Sequence, residues 1–380
     1  MEVQMKSILM LMVFSFFSLS SFANQMIEKN STAKNTIQLA LLLDTSNSMD
    51  GLIDQAKSQL WKIVNELATT KKNNQSVELY VALYEYGKDA IPAQEGHLRN
   101  IVPFTQDLDK ISEELFKLNT NGGEEFCGRV ILNAVNNLQW KKSDKDLKII
   151  FIAGNEPFTQ GNVDYKEACK KAIKKGIIVN TIFCGEYEEG IQTMWKDGAD
   201  LSDGKYMNID QNAELVYIQA PQDDEIIKLG QELNKTYIAF GNNAEESAAR
   251  QSSQDANSMG LSAEVMVNRS VAKSGGQYKN SSWDLVDAKK EGKVKVEELK
   301  DEDLPDVMKN MSVKERKDYI EKMAKERDKI QNKINQLNDE RSKYIAQKML
   351  EDKKDNTLDA VMIKAIREQA KQKDYSFGEK

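Results

Sequence analysis

The stretch Leu39-Ala40-Leu41-Leu42-Leu43-Asp44-Thr45-Ser46-Asn47-Ser48 decides how this chain is read. The apolar run from Ile37 to Leu43 has no polar alternation to speak of, so it reads as a strand buried on both faces, the kind that lies inside a parallel sheet. It ends abruptly in one carboxylate and two hydroxyls. A helix follows at once: Leu52, Ile53, Ala56, Leu60, Ile63, Val64 and Leu67 fall on one face of a 3.6-residue period across Leu52 to Thr69. Asp44, Ser46 and Ser48 therefore sit at the carboxyl end of a parallel strand, where open α/β sheets bind their ligands.

The same rhythm continues outward. Val77 to Tyr84 reads as a second strand, His97 to Val102 as a short edge strand before Pro103, Leu108 to Leu118 and Gly128 to Leu138 as helices. Leu147 to Ala153 and Ile177 to Cys184 are further buried strands, separated by a helix from Tyr165 to Lys175 that Gly176 stops, and Lys205 to Ile209 closes the sheet. Strands alternating with amphipathic helices predict a doubly wound, mostly parallel, Rossmann-like α/β domain over residues 36–218.

After Tyr217 strand candidates almost vanish. Residues 219–305 read as a mixed, mostly helical extension or linker, in which Asn242 to Ser274 is either a pair of weakly packed helices or a partly disordered link. Residues 306–380 read as a charged helical region that opens on a capping box, Ser312 with Glu315. Along it Ile320, Met323, Ile330, Ile334, Leu337 and Tyr344 form a coiled-coil-like seam, interrupted by Arg327 and Arg341. Two arginines in the seam make a weak dimer, so the helix is expected to fold back on the first domain or on the helix after Thr357. Trp283 is expected to anchor the extension to the first domain.

At the other end, the apolar run Ile8 to Leu19 followed by Ser20, Ser21, Phe22 and Ala23 predicts a signal peptide over residues 1–23, with translation from Met5 and cleavage after Ala23. The expected mature protein is exported, periplasmic or secreted, without stable membrane insertion, because the run is short of the roughly 20 apolar residues that span a bilayer. With 60 acids against 53 bases there is no basic footprint for nucleic acid. Three widely spaced cysteines and one histidine cannot assemble a zinc site or a disulfide framework. His97 reads as a surface residue, and Cys127 as a small residue packed beneath a loop.

An all-oxygen donor set suits a hard cation, Mg2+ or Mn2+. Here the chain resembles the von Willebrand factor A (VWA) family, whose metal-ion-dependent adhesion site begins with the Asp-x-Ser-x-Ser pattern met at Asp44, Ser46 and Ser48. The resemblance covers the strand and helix order from residue 37 to about 210, and it includes Gly122-Gly123 in the second site loop. Two positions depart from the family. Glu125 stands where a metal-ligating threonine is usual, and Gly154 stands where the third loop usually supplies an aspartate. One carboxylate is gained and one lost, which implies a site of relocated charge with Asp44, Ser46, Ser48 and Glu125 as metal residues. The resemblance implies a non-enzymatic protein–protein interaction module in which an acidic residue of an unidentified partner completes the coordination. Two alternatives are a metal-free scaffold displaying the helical C-terminal region, and a metal-dependent hydrolase using Asp44, Glu125 and Glu156.

Overall fold

The strand predicted from the opening stretch is β1, Thr36–Asp44, and all nine of its residues are buried. The computed structural model describes residues 34–212, 217–349 and 358–377; the expected signal peptide lies outside them. From β1 the chain enters α1 (Asp50–Ala68), a short hairpin β2 (Lys71–Lys72) and β3 (Gln75–Ser76), then β4 (Glu78–Tyr86) and β5 (Arg99–Thr105). Helices α2 (Leu108–Lys117) and α3 (Cys127–Asn137) lead to β6 (Leu147–Gly154). Then come α4 (Tyr165–Lys174), β7 (Ile178–Phe183), α5 (Tyr187–Gln192), α6 (Trp195–Asp200) and β8 (Tyr206–Asn208).

The main sheet has the order β5-β4-β1-β6-β7-β8, with β5 antiparallel and the rest parallel. This is the doubly wound α/β arrangement with a helical C-terminal region. The strand order reverses direction between β1 and β6, and the loops leaving those two strands open the crevice where such sheets take ligands. Alternation along β1 sends Ile37, Leu39, Leu41 and Leu43 into one core and Ala40 and Leu42 into the other.

Beyond β8 the chain forms α7 (Asp223–Asn234), α8 (Ala244–Leu261), α9 (Ala263–Ser274), α10 (Leu285–Lys290), α11 (Asp306–Lys309), α12 (Val313–Met349) and α13 (Leu358–Lys371), ending in β9 (Tyr375–Ser376). The Ala- and Ser-rich stretch is a helix pair, and α9 is the reverse of weakly packed: ten of its twelve residues are buried. Thr236 to Phe240 contributes only an isolated bridge, Ala239 to Asp284.

The capping box holds as read: Glu315 Oε2 accepts the Ser312 backbone N–H over 2.7 Å, and Ser312 Oγ accepts the Glu315 N–H over 3.3 Å. The seam of α12 faces this chain's own extension. Ile330, Ile334 and Leu337 pack with Ile226, Leu233, Val267 and Val271 of α7 and α9. The two seam arginines are buried and paired, Arg327 with Asp284 at 2.7 Å and Arg341 with Asp223 at 2.6 Å. Trp283 is buried too, stacked on Tyr237 with centroids 5.7 Å apart, inside the extension.

Residues 306–380 do not act as one region. Leu358, Met362, Ala365, Ile366 and Ala370 of α13 belong to the main core, against the face of the sheet that α1 covers. Gln369 exchanges two hydrogen bonds with Asn180 of β7, and β9 pairs with β2. The described residues from Asn35 onward fold as one compact unit.

Candidate functional site

Asp44 is the last residue of β1 and is fully buried. Its Oδ1 accepts the Ser46 backbone N–H over 2.8 Å, which curls the chain so that Ser46 Oγ and Ser48 Oγ lie 3.3 Å apart. The second loop reaches the same place: Asn121 N–H donates to Thr45 O over 2.9 Å, and Glu125 N–H to the Gln160 side-chain carbonyl over 2.7 Å. Glu125 is buried, only 3% exposed. Gly87 marks how close the two acids stand, because a Cβ there would lie 2.7 Å from Asp44 Oδ1 and 2.9 Å from Glu125 Cγ. The four residues singled out in the sequence are therefore neighbours.

Neither carboxylate is fully satisfied. Asp44 Oδ2 and Glu125 Oε2 are buried and have no hydrogen-bond partner. Burial pushes the Asp44 carboxyl up to about 7, against the opposing Ser46 hydrogen bonds. Glu125 rises to about 8, first from burial and then from the charge of Asp44. Glu156 adds to both, so its carboxylate lies within electrostatic reach although its backbone carbonyl is fixed by Trp195 Nε1 at 2.8 Å. Two buried oxygens without partners, two serine hydroxyls and no nitrogen or sulfur donor are a set that a hard divalent cation fits. Among the described residues no three His, Cys, Asp or Glu side chains gather as an ion site, so the serine hydroxyls are needed to complete one here.

Gly154 explains the missing third-loop acid. A Cβ on it would stand 2.5 Å from the Tyr86 hydroxyl oxygen and 2.9 Å from Asp44 Oδ2. Tyr86, at the end of β4, occupies that space and donates to Ala153 O over 2.9 Å. Gly154→Ala is thus expected to cost about 1–3 kcal/mol by overpacking, and Tyr86→Phe in the same chain to recover part of it. Urea unfolding of the natural protein and the two variants checks this; a neutral Gly154→Ala would show that the Tyr86 ring moves freely.

Several site residues escape the sequence reading. Asn155 Nδ2 donates to Ser48 Oγ over 3.1 Å, taking the third loop's place in the cluster. Behind Thr45, the fully buried Glu85 receives Lys88 Nζ at 3.3 Å and Arg99 Nε, and Lys88 also donates to Asn119 Oδ1 at 2.7 Å, tying the second loop down. An acid in a strand gives no local sign of this; only its neighbours do. His97 is a correction: it is 9% exposed, with φ +53°, edge-on to Phe126 at 5.8 Å and its Nε2 3.6 Å from Glu124 Oε2. Cys127 packs beneath the loop as read, and burial pushes its thiol well up, the opposite of activation. All three cysteines are free and buried.

The family model for the von Willebrand factor type A domain matches residues 38–220. Among solved structures, the chain is similar to BatB from Bacteroides thetaiotaomicron, at 18% identity over 46% of this chain and 90% of that one, with a TM-score of 0.36. It is also similar to the SpRpn10 VWA domain (17%, 47% and 91%, TM-score 0.37) and to the pilus adhesin SpaC from Lactobacillus rhamnosus GG (13%, 47% and 28%, TM-score 0.35). No curated protein matches. The Asp-x-Ser-x-Ser turn at the switch point of a β5-β4-β1-β6-β7-β8 sheet and the family match together make residues 38–220 a von Willebrand factor type A domain.

Proposed function

We propose that this chain is an exported protein-interaction module whose VWA domain holds a divalent cation, Mg2+ or Mn2+, among Asp44, Ser46, Ser48 and Glu125. The observation that carries the reading is the pair of buried carboxylate oxygens, Asp44 Oδ2 and Glu125 Oε2, left without partners at the carboxyl end of the sheet. Buried polar atoms are nearly always satisfied, so an unsatisfied acidic pair calls for a cation. When bound, such an ion supplies a coordination position that an oxygen of a partner protein can fill. The chain's own residues do the rest: Asp44 shapes the turn, Ser46 and Ser48 present hydroxyls at the mouth, and Glu85 with Lys88 fixes the second loop.

Calorimetry should show Mg2+ or Mn2+ binding to the natural protein and none to Asp44→Ala or Glu125→Ala. A second readout is pH. Unfolded, both carboxyls ionise near 4; folded, they keep their protons up to about 7 and about 8. Their raised values stabilise the fold at low pH, and that contribution is lost as pH rises from about 4 through 7–8. In chelator, the Tm should fall between about pH 5 and about pH 8 more steeply than that of Asp44→Asn, and millimolar Mg2+ should restore it. Absent heat, together with a pH profile that Mg2+ leaves alone, would reject the ion.

Gly154 favours a second reading, a metal-free VWA scaffold whose helical region is the interaction surface, because the position that usually bears an acid has no room for one. Export rests on the apolar run Ile8 to Leu19; among the described residues no helix is long and apolar enough to cross a membrane. Mass spectrometry of the mature protein should find Asn24 first, and a retained Met1 or Met5 would reject export with cleavage.

A further inference from the structure

We propose that the site face of the VWA domain recognises a basic segment of a partner protein, one presenting lysine or arginine around a neutral backbone carbonyl, and rejects a carboxylate. This rests on the ion reading above and deepens it. Asp44 and Glu125 alone carry as much negative charge as a divalent ion carries positive, so with both ionised the loaded floor of the site is neutral. Every further carboxylate at the mouth is surplus negative charge.

Four further carboxylates surround that floor. Asp50, exposed at the first residue of α1, takes the Thr120 hydroxyl of the second loop. Asp89 lies over the glycine pair: a Cβ on Gly122 would come within 2.8 Å of its Cβ and Cγ. Glu124 is exposed, and Glu156 is near enough for its charge to be felt by both buried acids. The basic groups beside them are already engaged, Lys88 by Glu85 and Asn119, His97 by Glu124. An incoming carboxylate would meet these like charges over a floor whose own charge is neutralised, so nothing there offsets the repulsion. A basic segment meets the opposite field. The unpartnered oxygens of Asp44 and Glu125 show that this acidic rim surrounds groups that need a ligand and is more than a solvated surface.

The test uses labelled oligolysine and oligoglutamate peptides, followed by fluorescence anisotropy with the protein in millimolar Mg2+ at low salt. Compared are the natural protein, a rim variant (Asp50→Asn, Asp89→Asn, Glu124→Gln) and a distant comparator (Glu297→Gln, Glu298→Gln, Glu302→Gln), all of whose positions are exposed. Oligolysine should bind the natural protein and the comparator alike and lose about tenfold in the rim variant, three partly screened pairs' worth. Oligoglutamate should not bind. Mg2+-dependent binding of oligoglutamate would overturn the proposal. Equal loss of oligolysine in rim variant and comparator would overturn it too, since net charge alone then explains the attraction. Calorimetry with Mg2+ on the same samples reports on the ion by itself: absent heat rejects the ion reading, while the peptide comparison still decides the charge of the partner.

Discussion

Arg269→Ala is expected to remove about 3–5 kcal/mol of folding stability, a large part of what a domain possesses. The side chain is fully buried on α9 and joins three helices. Its Nη1 donates to Asp109 Oδ1 of α2 at 2.6 Å, its Nε to Asp255 Oδ1 of α8 at 2.5 Å, and its Nη2 to Gln251 O at 3.0 Å. The guanidinium also lies over the Trp61 ring of α1, 4.7 Å from its centroid. Alanine would leave Asp109 buried and charged with only Tyr278 Oη, at 2.5 Å, to share the load. Most of the expected cost is that stranded carboxylate and not the lost attraction, so Asp109→Asn added to Arg269→Ala should recover part of it. Urea denaturation measures both. A loss below about 1 kcal/mol would mean that water reaches the cluster and the pair behaves as a surface one.

The second large effect concerns the far end of the chain. A protein shortened to residues 24–357 keeps every strand of the main sheet but loses α13 and β9, and it is expected to show no cooperative unfolding transition near that of the whole chain. Leu358, Met362, Ile366 and Tyr375 are each at most 3% exposed in the intact fold. At about 1.5–3 kcal/mol each, their burial amounts to roughly 6–12 kcal/mol, comparable with the whole stability of a typical domain. The deletion also removes Gln369, which trades hydrogen bonds with Asn180, and Arg367, whose Nε donates to the fully buried Glu66 over 2.6 Å. The fragment 36–218, the extent suggested by the sequence pattern, should fare worse because α9 goes as well. Circular dichroism and limited proteolysis decide it; a fragment 24–357 that melts sharply within a few degrees of the whole protein would show that α13 is an accessory and not part of the core.

What the sequence determined by itself is whatever is written in neighbouring residues. The strand β1 follows from an unbroken apolar run, and α1 from a 3.6 period beginning eight residues after Asp44. The position of Asp44, Ser46 and Ser48 follows from the turn between the two. Each is set by interactions among residues a few positions apart, and so each leaves a local pattern; the same holds for the other main-sheet strands and for the capping box at Ser312.

The tertiary structure decided the rest, because the deciding partners are far apart in the chain. Gly154 looks like a lost ligand until the Tyr86 hydroxyl is found filling its place, 68 positions earlier. The seam on α12 is a sound pattern, but a pattern of apolar residues does not say whose apolar face covers it; here α7 and α9 of the same chain do. Arg327 and Arg341 look like flaws in that seam, and become its ion-paired fixings once Asp284 and Asp223 are beside them. The last helix lies in the same charged region of the sequence as α12, yet it completes the core of the first domain. Burial and charge pairing are properties of the assembled layers, and no periodicity along the chain records which layers meet.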